Sequence, residues 1–147
     1  MRVEFDEEFG VPIEEAYEYF RTPMHWPRLF PAFGGSRDRG DGWYEVPFRG
    51  FPFPLVTRIT REESLQCVEW VFEGFWLGDA RVEFEPTNTG VVIKGYEQVS
   101  PRGLLWLASL VERLFLEARF QDVWESGWRR LRRQAEARSD YSAPESE

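Results

Sequence analysis

The sequence predicts an α+β fold in which a curved antiparallel sheet of about seven strands wraps around a long C-terminal helix, with two short helices after the first strand. Three observations predict it. Apolar residues between about 34 and 100 recur with a period of two, in runs separated by turn-forming residues. The links between these runs are short, which favours antiparallel hairpins. Apolar residues from about 104 to 131 recur at helical spacing.

The N-terminal part predicts the first strand and the two short helices. Residues 3–11 alternate as a half-buried strand does, and Glu7 falls on the apolar face. Pro12 then opens a helix, which ends at Thr22 and Pro23. The stretch "PMHWPRLF" predicts a second short helix or turn, broken at Pro27.

The central part predicts the remaining strands. They are a weaker strand at 34–39 and the runs "WYEVPFRGF", "LVTRIT", "CVEWVFEGFW", "DARVEFEP" and "VVIKGYEQV". Turn-forming residues lie between them at 39–42, 61–64 and 87–90. In the last run both alternating sets contain apolar and polar residues, so the pattern leaves open whether Lys94 or Glu97 faces inward.

The C-terminal part predicts one long helix that opens at Pro101 and Gly103 and ends near residue 137. We expect one apolar stripe to cover the sheet: Leu104, Leu107, Ala108, Val111, Leu114, Phe115, Ala118, Trp124, Trp128 and Leu131. A second apolar line widens this face: Leu105, Leu110, Leu116, Phe120 and Val123. We expect residues 1–138 to form one domain and 139–147, which lack apolar mass, to form a disordered tail.

Composition excludes several classes of function. The formal net charge of -8 disfavours nucleic-acid binding, because phosphate contacts need a basic surface. No apolar run approaches the roughly 20 residues that span a bilayer, so we expect no stable membrane insertion. A single cysteine, Cys67, fits a reducing compartment and predicts a cytoplasmic location. One His and one Cys make a zinc site improbable, and we predict neither a metal nor a cofactor. Monomer and homodimer both stay open.

The aromatic content, 17% with seven tryptophans, predicts a cavity walled by flat rings. An aromatic core without a cavity is the alternative. The stretch "RTPMHWPRLFPAF" combines prolines with large rings, which predicts a stiff lid, and "RGFPFPLV" predicts a second gate opposite it. The predicted ligand-binding residues are Trp26, Phe30, Phe33, Phe48, Phe53, Trp70, Phe72, Phe84, Leu107, Val111, Leu114, Phe115 and Ala118.

Three side chains are weak candidates for acid–base chemistry: Glu7, His25 and Tyr96. A carboxyl group that faces an aromatic cavity would have a raised pKa and could serve as an acid or a base. A packing or ion-paired role is the alternative for Glu7, and a position on the rim of the lid is the alternative for His25. We therefore predict no catalytic residue outright.

The order of elements, with particular motifs, resembles the START-like superfamily of Bet v 1, polyketide cyclase and coenzyme Q-binding proteins. The carriers of this resemblance are "FGVPIEEAYEYFRTPMHWPRLFP", the hairpin in "DARVEFEPTNTGVVIKGYEQV" and "VERLFLEARFQDVWESGWRRLRR". The chain most resembles uncharacterised bacterial ligand-binding members. It departs from relatives in the last strand, where positions that are often acidic or tyrosine are Lys94, Tyr96 and Gln98. The resemblance implies a helix-grip fold, no fixed catalytic set, and a lipid, sterol, quinone or polyketide as ligand.

Together these observations predict a carrier or sensor of a hydrophobic small molecule, such as a lipid, quinone, polyketide or similar aromatic compound. One alternative is a polyketide cyclase or dehydratase-like enzyme that uses the same cavity. Another is a protein-interaction domain with a filled core. The last would expose a patch that contains Leu105, Leu116 and Phe120.

Overall fold

Seven strands form one antiparallel sheet in the order β1-β7-β6-β5-β4-β3-β2, as predicted. The computed structural model describes residues 1–51, 53–102 and 110–142, the last range with side chains from 114 to 140. The strands are β1 Arg2–Phe9, β2 Arg37–Gly40, β3 Trp43–Val46, β4 Leu55–Glu63, β5 Cys67–Glu73, β6 Trp76–Pro86 and β7 Val91–Pro101. Because every neighbouring pair except β1 and β7 is consecutive in the chain, short turns make most of the sheet.

Helices lie after the first strand and at the C-terminal end. They are α1 Ile13–Phe20, a 3-10 turn Pro23–His25, α2 Trp26–Leu29 and α3 Leu110–Ser142. Pro12 precedes the first helix in an extended conformation, and Glu14 and Glu15 occupy the first turn, where acidic side chains favour the helix dipole. The side-chain oxygen of Thr22 accepts a hydrogen bond from the Met24 amide and starts the 3-10 turn.

The second half of α3 packs against the inner face of the sheet. Its buried residues are Phe120, Val123, Trp124, Trp128 and Leu131. Phe5 of β1 stacks on Trp124 with ring centroids 4.5 Å apart, and Phe9 lies 5.3 Å from Trp128. Rings from both walls therefore meet in the interior, as the sequence predicts.

The predicted inward stripe is wrong for Leu114, Phe115 and Ala118, which are exposed; Leu114 is 55% and Phe115 60% exposed. At about 100° per residue, Phe115 lies nine positions and about 180° from Trp124, so the two point in opposite directions. The face that reaches the sheet is the one that runs from Phe120 to Leu131. Farther along the helix, this outer side carries Gln121 and Glu125, which are also exposed.

Three predicted boundaries differ from the structure. The run "CVEWVFEGFW" is divided by a turn at Gly74, whose φ of 94° lets the chain reverse, so Trp76 begins β6. Pro101 ends β7, where it pairs with Trp76, and does not open the helix. The helix continues through residues 139–142, which we predicted as tail; residues 143–147 lie outside the described part of the chain.

Candidate functional site

The register of β7 resolves which side chains face the interior. Val91, Ile93, Glu97 and Val99 are buried on the inner face. Tyr96 and Lys94 lie on the outer face, where they pair with Asp79 and Glu85. Of the two inward candidates that the pattern left open, the structure therefore selects Glu97.

Glu97 lies in the wall of a small interior chamber between the sheet and α3. Each wall comes from a different element, and most of the side chains are aromatic. The chamber is lined by Phe20, Trp26, Phe30, Phe33, Trp70, Glu97, Val123 and Trp124. Trp26 and Trp70 approach with ring centroids 5.0 Å apart, and Phe30 meets Trp124 edge-on at 5.2 Å.

The chamber is nearly filled by these side chains. The centre of a water molecule has about 10 Å³ in which to move, which suffices for one water. The sequence predicted a hollow that would fit a ligand, whereas the described side chains interlock and leave only this space. A larger molecule would therefore have to displace part of the wall.

The carboxyl group of Glu97 is the polar centre of the chamber. Its Oε1 accepts a hydrogen bond from Nε1 of Trp124 at 3.1 Å. Burial raises the pKa of Glu97 to about 7, and the Trp124 hydrogen bond offsets only part of that rise. Because the ordinary value is 4.5, a large share of the molecules hold Glu97 as a neutral acid near neutral pH.

Two further indole groups line the chamber without an acceptor. Trp26 and Trp70 are 3% and 2% exposed, and Nε1 of each has no hydrogen-bond partner within the described residues. A buried donor left unpaired costs about 1–3 kcal/mol. The lining thus contains one carboxyl group and two tryptophans with unsatisfied N–H groups, and its other described side chains are aromatic or aliphatic.

Residues 23–33, here called the lid segment, form one side of the chamber through Trp26, Phe30 and Phe33. Nη1 of Arg130 on α3 donates a hydrogen bond to the Arg28 carbonyl and ties the segment to the helix. Phe30 rests directly on Gly127: a Cβ atom at that position would lie 2.5 Å from Cε1 of Phe30. Any larger residue at position 127 would therefore force the Phe30 ring to move.

Solved structures of other proteins share this architecture, although sequence comparisons find no relative. No protein-family model matches the chain, and no curated protein sequence does. Solved structures do match. The di-domain ARO/CYC StfQ from the steffimycin biosynthetic pathway superposes with a TM-score of 0.68 at 15% identity, over 95% of this chain and 51% of StfQ. This chain therefore spans about half of that two-domain protein.

Other solved structures match over nearly their whole length. DR_A0006 from Deinococcus radiodurans superposes with a TM-score of 0.64 at 14% identity, over 93% of this chain and 98% of the other. A conserved protein from Geobacillus kaustophilus gives a TM-score of 0.69 at 9% identity, over 93% and 96%. The chain thus has a helix-grip fold, an antiparallel sheet around a long C-terminal helix, and the likeness concerns the fold alone.

Of the predicted ligand-binding residues, four line the chamber: Trp26, Phe30, Phe33 and Trp70. Phe48, Phe72 and Phe84 are buried in other parts of the helix-grip core. Phe53 is 43% exposed and stacks on Phe75, with ring centroids 4.1 Å apart. Leu107 and the side chain of Val111 lie outside the described residues, and Leu114, Phe115 and Ala118 lie on the outer side of α3.

The three acid–base candidates lie away from the chamber. Nδ1 of His25 is 2.8 Å from the Glu18 carbonyl oxygen, on the outside of the lid segment. Glu7 accepts a hydrogen bond from Nη2 of Arg132 at 2.7 Å. The Tyr96 hydroxyl donates to Asp79 at 2.6 Å on the outer face, and this bond raises the pKa of Tyr96. All three are thus placed in surface interactions.

Four chamber residues were missing from the predicted ligand-binding set: Phe20, Glu97, Val123 and Trp124. The sequence contained patterns that could have identified two of them. Phe20 lies on the apolar stripe of α1, and Trp124 lies on the helical repeat of α3. Glu97 faces the chamber because of the register of the last strand, which the sequence left open.

Neither a metal cluster nor a membrane span is found in the described ranges. No group of three or more His, Cys, Asp or Glu side chains there is placed to hold a metal ion. In the same ranges, no helix combines the length and the apolar character needed to cross a bilayer.

Proposed function

We propose that this helix-grip protein binds a small, mostly aromatic molecule in the chamber around Glu97, as a carrier or sensor in a reducing compartment such as the cytoplasm. One observation carries the proposal: the otherwise apolar lining contains a buried carboxyl group and two tryptophans whose indole N–H groups have no acceptor among the described residues. Such groups lower the stability of a free protein. A bound molecule that pairs with them would recover that free energy.

Binding requires the chamber to enlarge, and the lid segment is the part that supports this. It is a short segment of turns and one helix of four residues. Its hydrogen bonds to other parts of the described chain are the Arg130 bond to the Arg28 carbonyl, the His25 bond to α1, the bond from the Ser36 hydroxyl to the Pro23 carbonyl, and the bond from the Arg49 amide to the Ala32 carbonyl. Outward displacement of this segment would withdraw three of the eight lining side chains.

A second candidate function is acid–base catalysis of a cyclase or dehydratase type. The observation in its favour is Glu97, whose pKa of about 7 suits a general acid or base at neutral pH. The described lining contains no second titratable group, whereas most such reactions use two. Binding without chemistry is therefore the first choice.

The third alternative, an interaction domain with a filled core, has partial support. The chamber is small, as that alternative expects. The predicted exposed patch, however, included Phe120, which is 3% exposed and lies 5.2 Å from Phe48 and 5.3 Å from Trp76. Leu116 is half-buried, and Leu105 lies outside the described residues.

Native mass spectrometry of freshly purified protein, followed by extraction and identification of the bound molecule, tests the proposal. We expect one small molecule per chain. Val123→Phe places a ring in the chamber and should lower the bound fraction at least about tenfold, since the site loses its remaining volume. Val92→Phe, on the half-buried outer side of β7, is the matched control and should keep the ligand.

Circular dichroism establishes that both variants fold. A wild-type protein without any bound molecule argues against the proposal. Equal occupancy in Val123→Phe and Val92→Phe would place the ligand elsewhere and would equally contradict it.

A further inference from the structure

The three indole groups of the chamber share one chemical property: their N–H groups donate hydrogen bonds and their nitrogens accept none. The Trp124 N–H donates to Glu97. Trp26 and Trp70 each offer an indole N–H with no acceptor in the described part of the chain. These two N–H groups therefore lack an acceptor.

Glu97 adds a further donor when it is protonated. The side chains that pack around it from α1, the lid segment, β5 and α3 are aromatic or aliphatic, and none of those described is charged. Its partners in strand register are Val3 on β1 and Ala80 on β6. The nearby charged residues of β7 and β6, such as Lys94 and Arg81, are paired on the outer face.

Without a cation beside it, a buried carboxylate is unfavourable and the neutral acid is preferred. The pKa of about 7 agrees with this geometry. In the acid form one oxygen accepts from Trp124 and the hydroxyl is available to a ligand.

We infer, resting on the proposed function, that the chamber takes a neutral aromatic carbonyl compound, whose oxygen accepts hydrogen bonds from protonated Glu97 and from one of the two unpaired indoles, Trp26 or Trp70. The rings of the wall stack on the aromatic part of this ligand. The carbonyl oxygen has two lone pairs, so it can satisfy two of the three donors at once.

Other ligand classes fit these groups less well. An anion would be buried with no described cation to offset the loss of its hydration. An organic ammonium ion would gain from ionised Glu97 and from the ring faces but would leave both indole N–H groups unpaired. A hydrocarbon would leave every donor unpaired.

The inference makes the affinity depend on pH in one direction. Because the ligand pairs with the protonated acid, binding above the pKa of Glu97 requires uptake of a proton. The dissociation constant should be constant below about pH 6 and should rise toward about tenfold per pH unit above pH 7. An ammonium ligand would show the opposite trend.

Four one-ring compounds of matched size separate the classes: acetophenone, isopropylbenzene, benzoate and 1-phenylethylammonium. Calorimetric titrations at pH 6.0 and 8.5 give the affinities. Proton–nitrogen spectra of the tryptophan side chains report which indole N–H groups accept a partner. We expect acetophenone to bind at least about tenfold more tightly than the other three at pH 6.0 and to shift the indole N–H signal of Trp26 or of Trp70.

Variants sharpen the test. Glu97→Gln keeps a donor but does not titrate, so acetophenone should bind with the same affinity at both pH values. At least one of Trp26→Phe and Trp70→Phe should weaken binding roughly five- to thirtyfold, because the donor that the ligand uses is lost. Trp43→Phe, on β3 and outside the chamber lining, is the matched control and should bind as the wild type does.

The experiments distinguish a failure of this inference from a failure of the proposed function. Tightest binding of isopropylbenzene or of 1-phenylethylammonium, or acetophenone binding that strengthens as pH rises, would overturn this inference and leave the proposed function intact. If none of the four compounds binds and no molecule is extracted from the purified protein, both are overturned. The comparison of the four compounds uses the wild-type protein, so it does not depend on the folding of any variant.

Discussion

Tyr96 and Glu97 are neighbours on β7, yet they lie on opposite faces of the sheet and in contrasting environments. On the outer face, Tyr96 meets Asp79, and Arg81 binds Glu69 at 2.6 Å and Glu83 at 2.8 Å. These side chains stay in reach of water. On the inner face, Glu97 has a neutral indole as its hydrogen-bond partner and no described cation in the chamber lining. The outer pairs are partly exposed and contribute little to stability, whereas the inner acid is buried without a described charge partner and costs stability.

The largest effect should come from removing an inner tryptophan. Trp124→Ala opens a cavity in the core and leaves Glu97 without its donor, so we expect a loss of about 3–5 kcal/mol in the free energy of unfolding. Trp43→Ala removes a half-buried ring beside Arg58 and should cost about 0.5–1 kcal/mol. Urea titrations followed by far-ultraviolet circular dichroism measure both. Equal losses would contradict the assignment of the chamber as part of the core.

The second effect concerns pH. The folded state raises the pKa of Glu97 from 4.5 to about 7, so the folded protein binds the proton more tightly than the unfolded chain does. The contribution of Glu97 to stability is therefore fully present below about pH 4.5 and is lost as pH rises through 7. The loss is on the order of 3 kcal/mol.

Glu97→Gln isolates this contribution from the other titrating groups. The variant should gain stability relative to the wild type as pH increases from 4.5 to 8.5, and the gain should level off above pH 7. Unfolding free energies of both proteins across this range measure it. A difference that does not change with pH would mean that Glu97 is hydrated in the folded state.

The smallest effect should be found on the outer face. Arg81→Gln breaks the two ion pairs with Glu69 and Glu83, whose side chains are partly exposed, and should cost about 0.2–1 kcal/mol. Added salt should shrink the difference further, because it screens exposed charges. A loss comparable with that of Trp124→Ala, or one that salt does not change, would remove the contrast between the two faces.

The sequence predicted the fold because its periodicities are strong, but it could not set the phase of the long helix. The predicted stripe combined Leu114 and Phe115 with Trp124, Trp128 and Leu131, although Phe115 and Trp124 lie about 180° apart on the helix. The sheet packs against the side with Trp124, Trp128 and Leu131, and Phe120 and Val123 of the second predicted line join it there. Which residues of a widely apolar helix face inward depends on the facing sheet, which no local pattern describes.

The chamber was predicted in part for a similar reason. Lid residues such as Trp26 and Phe30 stand out by their proline-rich setting, and the structure places both in the wall. The inward orientation of Glu97 depended on the strand register, because a shift of one residue moves every side chain to the other face of the sheet. The size of the interior space depends on how the rings interlock, and composition alone predicts rings without predicting their packing.

Gly127 has a practical consequence for anyone who engineers this protein. Tables of helix propensity would select it first for replacement by alanine, with an expected benefit of about 1 kcal/mol. Here the added methyl group would collide with Phe30. We expect the collision to displace the lid segment from the helix. The same substitution that a thermostability programme would recommend is thus a tool for crystallographers, who could use it to trap an open form and soak candidate compounds into it.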